Sequence, residues 1–272
     1  MNVLQEKSKT TPVVLSIAGL DPSGGAGLYA DIKTFSALDV WGMGVPTTLT
    51  SQDSKSFNGM LAVEKDFFEK QLEKVFSSTK IAGVKIGLIT QSYQAELIYF
   101  FIKKYAPGIV VLDPVAFSST GAEFWDSQVK EAVTKLLVPS ADVVTPNLKE
   151  AQLIMNLKEA GKKELAIGLN KEYRCKVVVT GGDSSNGINV TDLFYDGLRM
   201  EERSGDFIDI DTRFKHGTGC TFSSALCSYM VRGIEFMEAC SLSSLFVEKA
   251  IKHHVTFDNS DGGLNHNFRG VL

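Results

Sequence analysis

Short apolar runs alternate along the chain with segments whose apolar residues recur every three or four positions, and this alternation predicts a repeated β-α order. Residues 13–18 form the first buried-strand pattern. A glycine-rich turn and an amphipathic helix to about residue 38 follow it. Further strand patterns cover 44–50, 82–89, 109–112, 142–145, 177–180 and 190–195. Helical patterns cover 67–76, 94–104 and 129–137, another starts at 148, and two more close the chain at about 218–232 and 235–254. Strands that are apolar along their whole length belong in a sheet covered on both faces. The expected fold class is therefore α/β, a mainly parallel central sheet with helices on both sides. Linkers, low-complexity segments and repeats are absent from the sequence, so residues 13–272 are expected to form a single domain behind a flexible amino-terminal tail, 1–12.

In such sheets ligands bind beyond the carboxyl ends of the strands, and the polar motifs of this chain fall there. Gly19-Leu20-Asp21-Pro22-Ser23-Gly24-Gly25-Ala26-Gly27 follows the first strand. It lacks the Lys-Ser/Thr pair of a Walker loop. Its Gly25-Ala26-Gly27 comes late after the strand, with no acidic residue near position 45, which makes a poor dinucleotide fingerprint. The better reading is a glycine floor for a flat substrate, with Asp21 as a polar anchor; a plain βα turn is the alternative. Asp31, early in the next helix, reads as a dipole partner. Gln52 follows an apolar run, and its amide can donate and accept at once. Asp113 closes the strand at 109–112. Asn147 and Glu150 open the helix at 148 and, three apart, share one side of its first turn. Hard oxygens at adjacent strand ends suit magnesium, and a capping pair is an equal alternative. Thr180-Gly181-Gly182-Asp183 ends a further strand and either passes nucleotide phosphates or simply turns.

His216-Gly217-Thr218-Gly219-Cys220 precedes an apolar run free of breakers until Gly233. The first N–H groups of a helix have no partner within it and carry a partial positive charge. Without side chains at Gly217 and Gly219, an anion can reach them. Cys220 lies in the same field, which favours thiolate. An anion cradle beside a base is the equipment of phosphoryl transfer.

Composition narrows the alternatives. Of 272 residues 44% are hydrophobic and the net charge is −4 with no dense basic run, which argues against nucleic acid as a partner. No apolar stretch approaches a membrane span, and residues 1–11 lack an apolar signal core. The four cysteines, Cys175, Cys220, Cys227 and Cys240, form no Cys-x-x-Cys pair. A reducing cytoplasm is expected, with Cys227 and Cys240 as small core residues.

Taken together, the loop 19–27, Ala30-Asp31-Ile32-Lys33-Thr34-Phe35, Lys85-Ile86-Gly87-Leu88, Leu112-Asp113-Pro114-Val115, Thr145-Pro146-Asn147-Leu148-Lys149-Glu150-Ala151 and His216–Thr221 occur in the order used by hydroxymethylpyrimidine/phosphomethylpyrimidine kinases. The resemblance runs from about residue 13 to 255 and implies a ribokinase-like fold. It also implies ATP-dependent phosphorylation of 4-amino-5-hydroxymethyl-2-methylpyrimidine in thiamine biosynthesis, then of its monophosphate to the diphosphate. Gly19, Asp21, Gln52 and Leu88 would meet the pyrimidine. Gly217, Gly219 and Cys220 would form the catalytic anion hole, with Cys220 where sugar kinases of the superfamily carry an aspartate base. Thr180, Gly182 and Thr218 would meet the nucleotide. Asp113, Asn147 and Glu150 would organise Mg2+ and phosphates. The expected assembly is a homodimer acting on a small molecule. Against the usual pattern of these kinases, Thr180 and Asp183 replace Lys and His, Leu88 replaces methionine, and the segment 262–266 lacks Gly-Pro-Val. A pyridoxal kinase on the same fold is the nearest alternative. An oxidoreductase or a silent sensor would leave the turn at 217–220, Asn147 and Glu150 unexplained.

Overall fold

The structure is a computed structural model describing residues 10–53, 55–118, 121–181, 189–206, 216–258 and 261–268. Residues 1–9 of the expected tail, and Gly182, lie outside these. Strands β1 (Val13–Leu20), β2 (Trp41–Gln52), β3 (Phe57–Ala62), β4 (Gly83–Ile86), β5 (Ile109–Leu112), β6 (Val143–Val144), β7 (Lys176–Val179), β8 (Asn189–Tyr195) and β9 (Met200–Asp206) form one sheet. Its order is β3-β2-β1-β4-β5-β6-β7-β8-β9. The run from β2 to β7 is parallel throughout. The edges β3, β8 and β9 are antiparallel. This is the mainly parallel sheet expected, extended at both ends by hairpins.

Successive residues of a strand face opposite sides of the sheet, and the alternation sorts the core into two clusters. Leu15, Ile17, Val84, Ile86, Val110 and Leu112 pack on one side with residues of α2 (Lys65–Ser78), α3 (Ser92–Tyr105), α4 (Ser127–Ala132), α5 (Leu148–Met155) and α6 (Lys162–Tyr173). Val14, Val111, Val143 and Val178 pack on the other with α1 (Gly27–Ala37), α7 (Thr218–Val231) and α8 (Phe236–Lys252). On that second side α7 comes close to β4: a Cβ at Gly83 would stand 2.6 Å from Val231 and 3.0 Å from Cys227. An antiparallel pair, β10 (Val255–Asp258) and β11 (Asp261–Gly263), follows α8.

β3, α6 and β9 have no counterpart among the expected elements. α6 is mostly charged and polar, with buried residues only at Leu165, Ala166 and Leu169. β3 and β9 are edge strands with largely solvated side chains; β9 shows no apolar run, and that of β3, residues 60–63, is short and follows Asn58-Gly59. The expected helix at 129–137 begins as α4 and continues as a wider turn, Val133–Leu137, before Pro139 brings it to an end.

Candidate active site

The parallel strands all end at the same edge, and backbone hydrogen bonds step across it. Gly87 N donates to Ile17 O, Asp113 N to Ile86 O, Thr145 N to Leu112 O and Thr180 N to Pro146 O, over 2.8, 2.8, 2.9 and 3.0 Å. Asp21, Leu88, Asp113, Asn147 and Thr180 thus stand in one row at the strand ends. The loop after β1 is drawn over this row. Asp21 is buried, and its carboxylate accepts from the N–H groups of Ser23 and Ala26, each at 2.9 Å. The buried His216 ring reaches the same carboxylate, with Nε2 2.8 Å from Oδ2. Burial works against the charge of Asp21, but the His216 ring and the Ser23 groups more than compensate and hold its carboxyl below the ordinary value. Asp21 therefore organises the loop and fastens it to the residue preceding the turn at Gly217.

Glycine is required where the two segments meet. Gly217 caps α7 with φ +84°, and a Cβ there would fall 1.9 Å from Gly25 O. Gly27, with φ +56°, begins α1, and its Cβ would fall 2.2 Å from Gly19 O. Only a residue without a side chain takes this backbone at such contact. Gly219 instead faces open space. The first turn of α7, from Thr218 to Cys220, thus presents its amino terminus beside the glycine loop.

Cys220 departs from expectation. Burial pushes its thiol up to about 12, and the nearby Lys85 ammonium pulls it only part of the way back. Desolvation outweighs the helix terminus here, so at neutral pH the residue is a thiol and not the expected thiolate. Asp31 also departs: it is no solvated dipole partner but fully buried. Lys85 Nζ lies 3.0 and 3.1 Å from its two carboxylate oxygens. The hydroxyls of Ser16 and Ser224 donate to it at 2.5 and 2.7 Å. Lys85, itself fully buried, is also 3.6 Å from Asp113, to which Ser223 donates at 2.9 Å. Burial pushes the Asp113 carboxyl up, against the pull of Lys85 and Ser223. Burial opposes the charge on Lys85, yet its acidic neighbours raise it above the ordinary lysine value.

Asn147 and Glu150 form the capping pair. Asn147 Oδ1 accepts from Glu150 N, and Glu150 Oε2 accepts from Asn147 N, both at 2.9 Å. Glu150 Oε1 accepts from Ala116 N at 3.1 Å, which ties α5 to the segment after Asp113. The carboxylates of Asp113 and Glu150 remain the hard-oxygen donors at neighbouring strand ends. Among the described residues no group of three His, Cys, Asp or Glu side chains is arranged to hold a metal by itself. A divalent ion fits here only with waters or phosphate oxygens completing its shell, as magnesium accepts.

Gly19, Leu88 and Thr48 converge: a Cβ at Gly19 would lie 2.8 Å from Leu88 and 3.3 Å from Thr48. Gln52 stands further along the same strand as Thr48, partly exposed, at the end of β2 where it pairs with Phe57. Thr50 donates to Leu20 O at 3.1 Å and links that strand end to the glycine loop. Thr180, partly exposed, precedes Gly181, whose N–H donates to Asp192 at 2.9 Å.

Sequence reasoning gave Lys85, Ser223, Ser224 and His216 no role of their own. Lys85 carried a readable signal, a charge between Val84 and Ile86 in a strand otherwise fit only for the interior. His266 is buried with Nε2 3.0 Å from the hydroxyl of Thr221 in α7, so the segment after β11 lies against the helix that bears the turn. Burial lowers its pKa to about 4, and it is neutral at physiological pH. No helix among the described residues is long and apolar enough to cross a membrane.

Comparison with known proteins agrees with this geometry. A hydroxymethylpyrimidine/phosphomethylpyrimidine kinase of Staphylococcus aureus is 32% identical over 260 residues, covering 93% of both chains. The structure of a pyridoxal kinase from Staphylococcus aureus in complex with pyridoxal superposes with a TM-score of 0.87 at 29% identity, covering 97% of this chain and 96% of that one. That kinase is also known in complex with ADP and with AMP-PCP. A phosphomethylpyrimidine kinase from Clostridium difficile gives a TM-score of 0.76 at 32% identity, covering 89% of this chain and all of that one. Residues 21–265, from the glycine loop to the segment behind α7, match Phosphomethylpyrimidine kinase, and the chain belongs to that family.

Proposed function

We propose that this phosphotransferase moves the γ-phosphoryl group of ATP to the hydroxymethyl group of 4-amino-5-hydroxymethyl-2-methylpyrimidine, and then phosphorylates the monophosphate to the diphosphate, in thiamine biosynthesis. The observation that carries the reading is the junction of the loop 19–27 with the turn at Gly217–Cys220. It sets a backbone anion site directly beside a glycine-lined floor. The pyrimidine would lie over Gly19 against Leu88, with Gln52 answering its amino group and adjacent ring nitrogen. The N–H groups at Gly217, Gly219 and Cys220 would receive the transferring phosphoryl oxygens, where fixed donors need no reorganisation. A loose transition state asks little of a base, which suits a Cys220 that keeps its proton at neutral pH. Thr180, Gly182 and Thr218 would meet the nucleotide; ADP and AMP-PCP complexes of the Staphylococcus aureus relative support nucleotide use, not these positions.

Asp113 and Glu150, with Asn147 orienting Glu150, would hold magnesium together with the phosphates, and the ion would neutralise phosphate charge. Glu150→Gln would place an amide N–H against one of the two N–H groups that Glu150 now accepts from. It should raise the magnesium concentration giving half-maximal rate about tenfold or more, measured by titration at saturating ATP. The enzyme would act as a cytoplasmic homodimer.

The deciding experiment incubates the protein with ATP, magnesium and the pyrimidine alcohol, and follows ADP and phosphorylated product by mass. Pyridoxal serves as the second acceptor, because the structure of the pyridoxal kinase is closely similar. Product from the pyrimidine at the higher kcat/KM bears the proposal out. A higher kcat/KM with pyridoxal would move the assignment to that ring and leave the phosphotransferase in place.

A further inference from the structure

A buried ion pair often gives no more stability than apolar residues of the same volume, and the strand positions beside Lys85 are filled by valine and isoleucine. Lys85 pairs across the sheet with Ser16, both fully buried. Its ammonium is held by Asp31 at 3.0 Å and lies 3.6 Å from Asp113. The space is closely fitted: a Cβ at Gly87 would come within 3.0 Å of Lys85 Nζ. The roof of the cluster is α7. Ser223 touches Asp113 and Ser224 touches Asp31. These serines follow Cys220 by three and four positions, so all three share one face of the helix. The cation thus lies under the turn that offers its N–H groups to an anion.

We propose that Lys85 is a positioning counter-charge, a fixed buried cation beneath the Gly217–Cys220 turn that offsets the negative charge gathering there during phosphoryl transfer. Taking the turn as the phosphoryl site rests on the functional reading above. The mutual electrostatic pull of Lys85 and Cys220 fits this placement. In a desolvated site a fixed charge acts with little screening and needs no reorganisation. Asp31, Ser16 and Ser224 hold the cation in place, and Ser223 connects it through Asp113 to the helix terminus.

The test keeps Asp31 neutral and varies only the lysine charge, comparing Asp31→Asn with the double variant Asp31→Asn/Lys85→Met. Two quantities are read. One is kcat and KM with ATP and the pyrimidine. The other is the ratio of Cys220 alkylation rates with iodoacetate, an anion, and iodoacetamide, a neutral reagent, followed by peptide mass. Both reagents meet the same thiolate fraction, so the ratio reports the local potential. Relative to Asp31→Asn, the double variant should lose about tenfold or more in kcat, keep KM within about threefold and lower the ratio by about threefold or more. Equal ratios and equal kcat in the two variants would reduce Lys85 to a space-filling residue and overturn the proposal. If the double variant does not fold, Asp31→Asn/Lys85→Gln takes its place against Asp31→Asn: a lowered ratio supports the counter-charge and an equal ratio refutes it. If wild type phosphorylates neither the pyrimidine nor pyridoxal, the kinase reading falls, while the alkylation ratio still decides the charge assignment.

Discussion

Within β4 the neighbours Val84, Lys85 and Ile86 are all fully buried, yet they belong to two different interiors. Val84 and Ile86 join the cluster under α2 to α6, where strands and helices meet through aliphatic and aromatic side chains such as Phe68, Leu72 and Phe101. Lys85 turns to the side of α1 and α7, where Ser16, Asp31, Ser223 and Ser224 form a hydrogen-bonded patch inside an otherwise apolar layer. The difference teaches that one strand can serve stability with one set of alternate residues and electrostatics with the other. The dry side gains chiefly from packing, and a buried polar group there such as Gln94 is answered by the backbone of Thr47 and Thr90. The polar side keeps charged groups within the fold beside the amino-terminal end of α7.

Four substitutions test that division. On the dry side, Phe68→Ala should lower unfolding stability by about 3–5 kcal/mol and leave kcat and KM within about twofold well below the melting temperature. A comparable loss of activity in the folded variant would mean that the two sides are coupled. On the polar side, Gly217→Ala must displace Gly25 O or leave φ +84°. It should lower kcat/KM by about 10³-fold in an ADP-coupled assay, since misplaced donors cost about 10²–10³-fold. Near-normal turnover would detach the turn from the chemistry. Cys220→Ala should lower kcat by about 10²-fold by disturbing the N–H donors of the turn that carries it. A thiol raised to about 12 stays protonated across pH 6–9, so the wild-type to variant rate ratio should be constant over that range. An inflection near the ordinary cysteine value would contradict burial of the thiol. Gln52→Leu should cost about tenfold in kcat/KM with the pyrimidine, the penalty of one unanswered polar edge, and less with pyridoxal. Equal losses with both acceptors would make Gln52 a structural residue.

How much of this was legible follows the same division. Elements with an apolar signal were readable to within a few residues: β1, β5, α7 and α8 all lie where the pattern put them. α6 and β9, whose solvated side chains carry no such signal, were not. The glycine loop and the turn at 217–220 were readable because backbone exposure needs glycine, which sequence shows directly. Asn147 and Glu150 showed a capping spacing that the structure contains. The state of Cys220 was not legible: the helix terminus that favours thiolate is local, whereas the burial that overrides it is made by the folded surroundings, with the charges of Asp113 and Asp31 from distant segments adding to it and Lys85 opposing it. The partnership of Asp31 with Lys85 spans 54 positions and the one with Ser224 spans 193, distances over which a single sequence carries no pairing information.

The contact between Asp21 and His216 joins residues 195 positions apart. During synthesis β1, β2 and β4 are made early and have their sheet partners at hand, while the glycine loop waits for a histidine made long afterwards. Closing so large a loop carries an entropic cost that neighbouring strand pairs do not bear, and contacts of this span form slowly. A chain that ends before residue 216 would lack the partner of Asp21 and also α7 and α8, which cover one face of the sheet. Competence is the last property this polypeptide acquires.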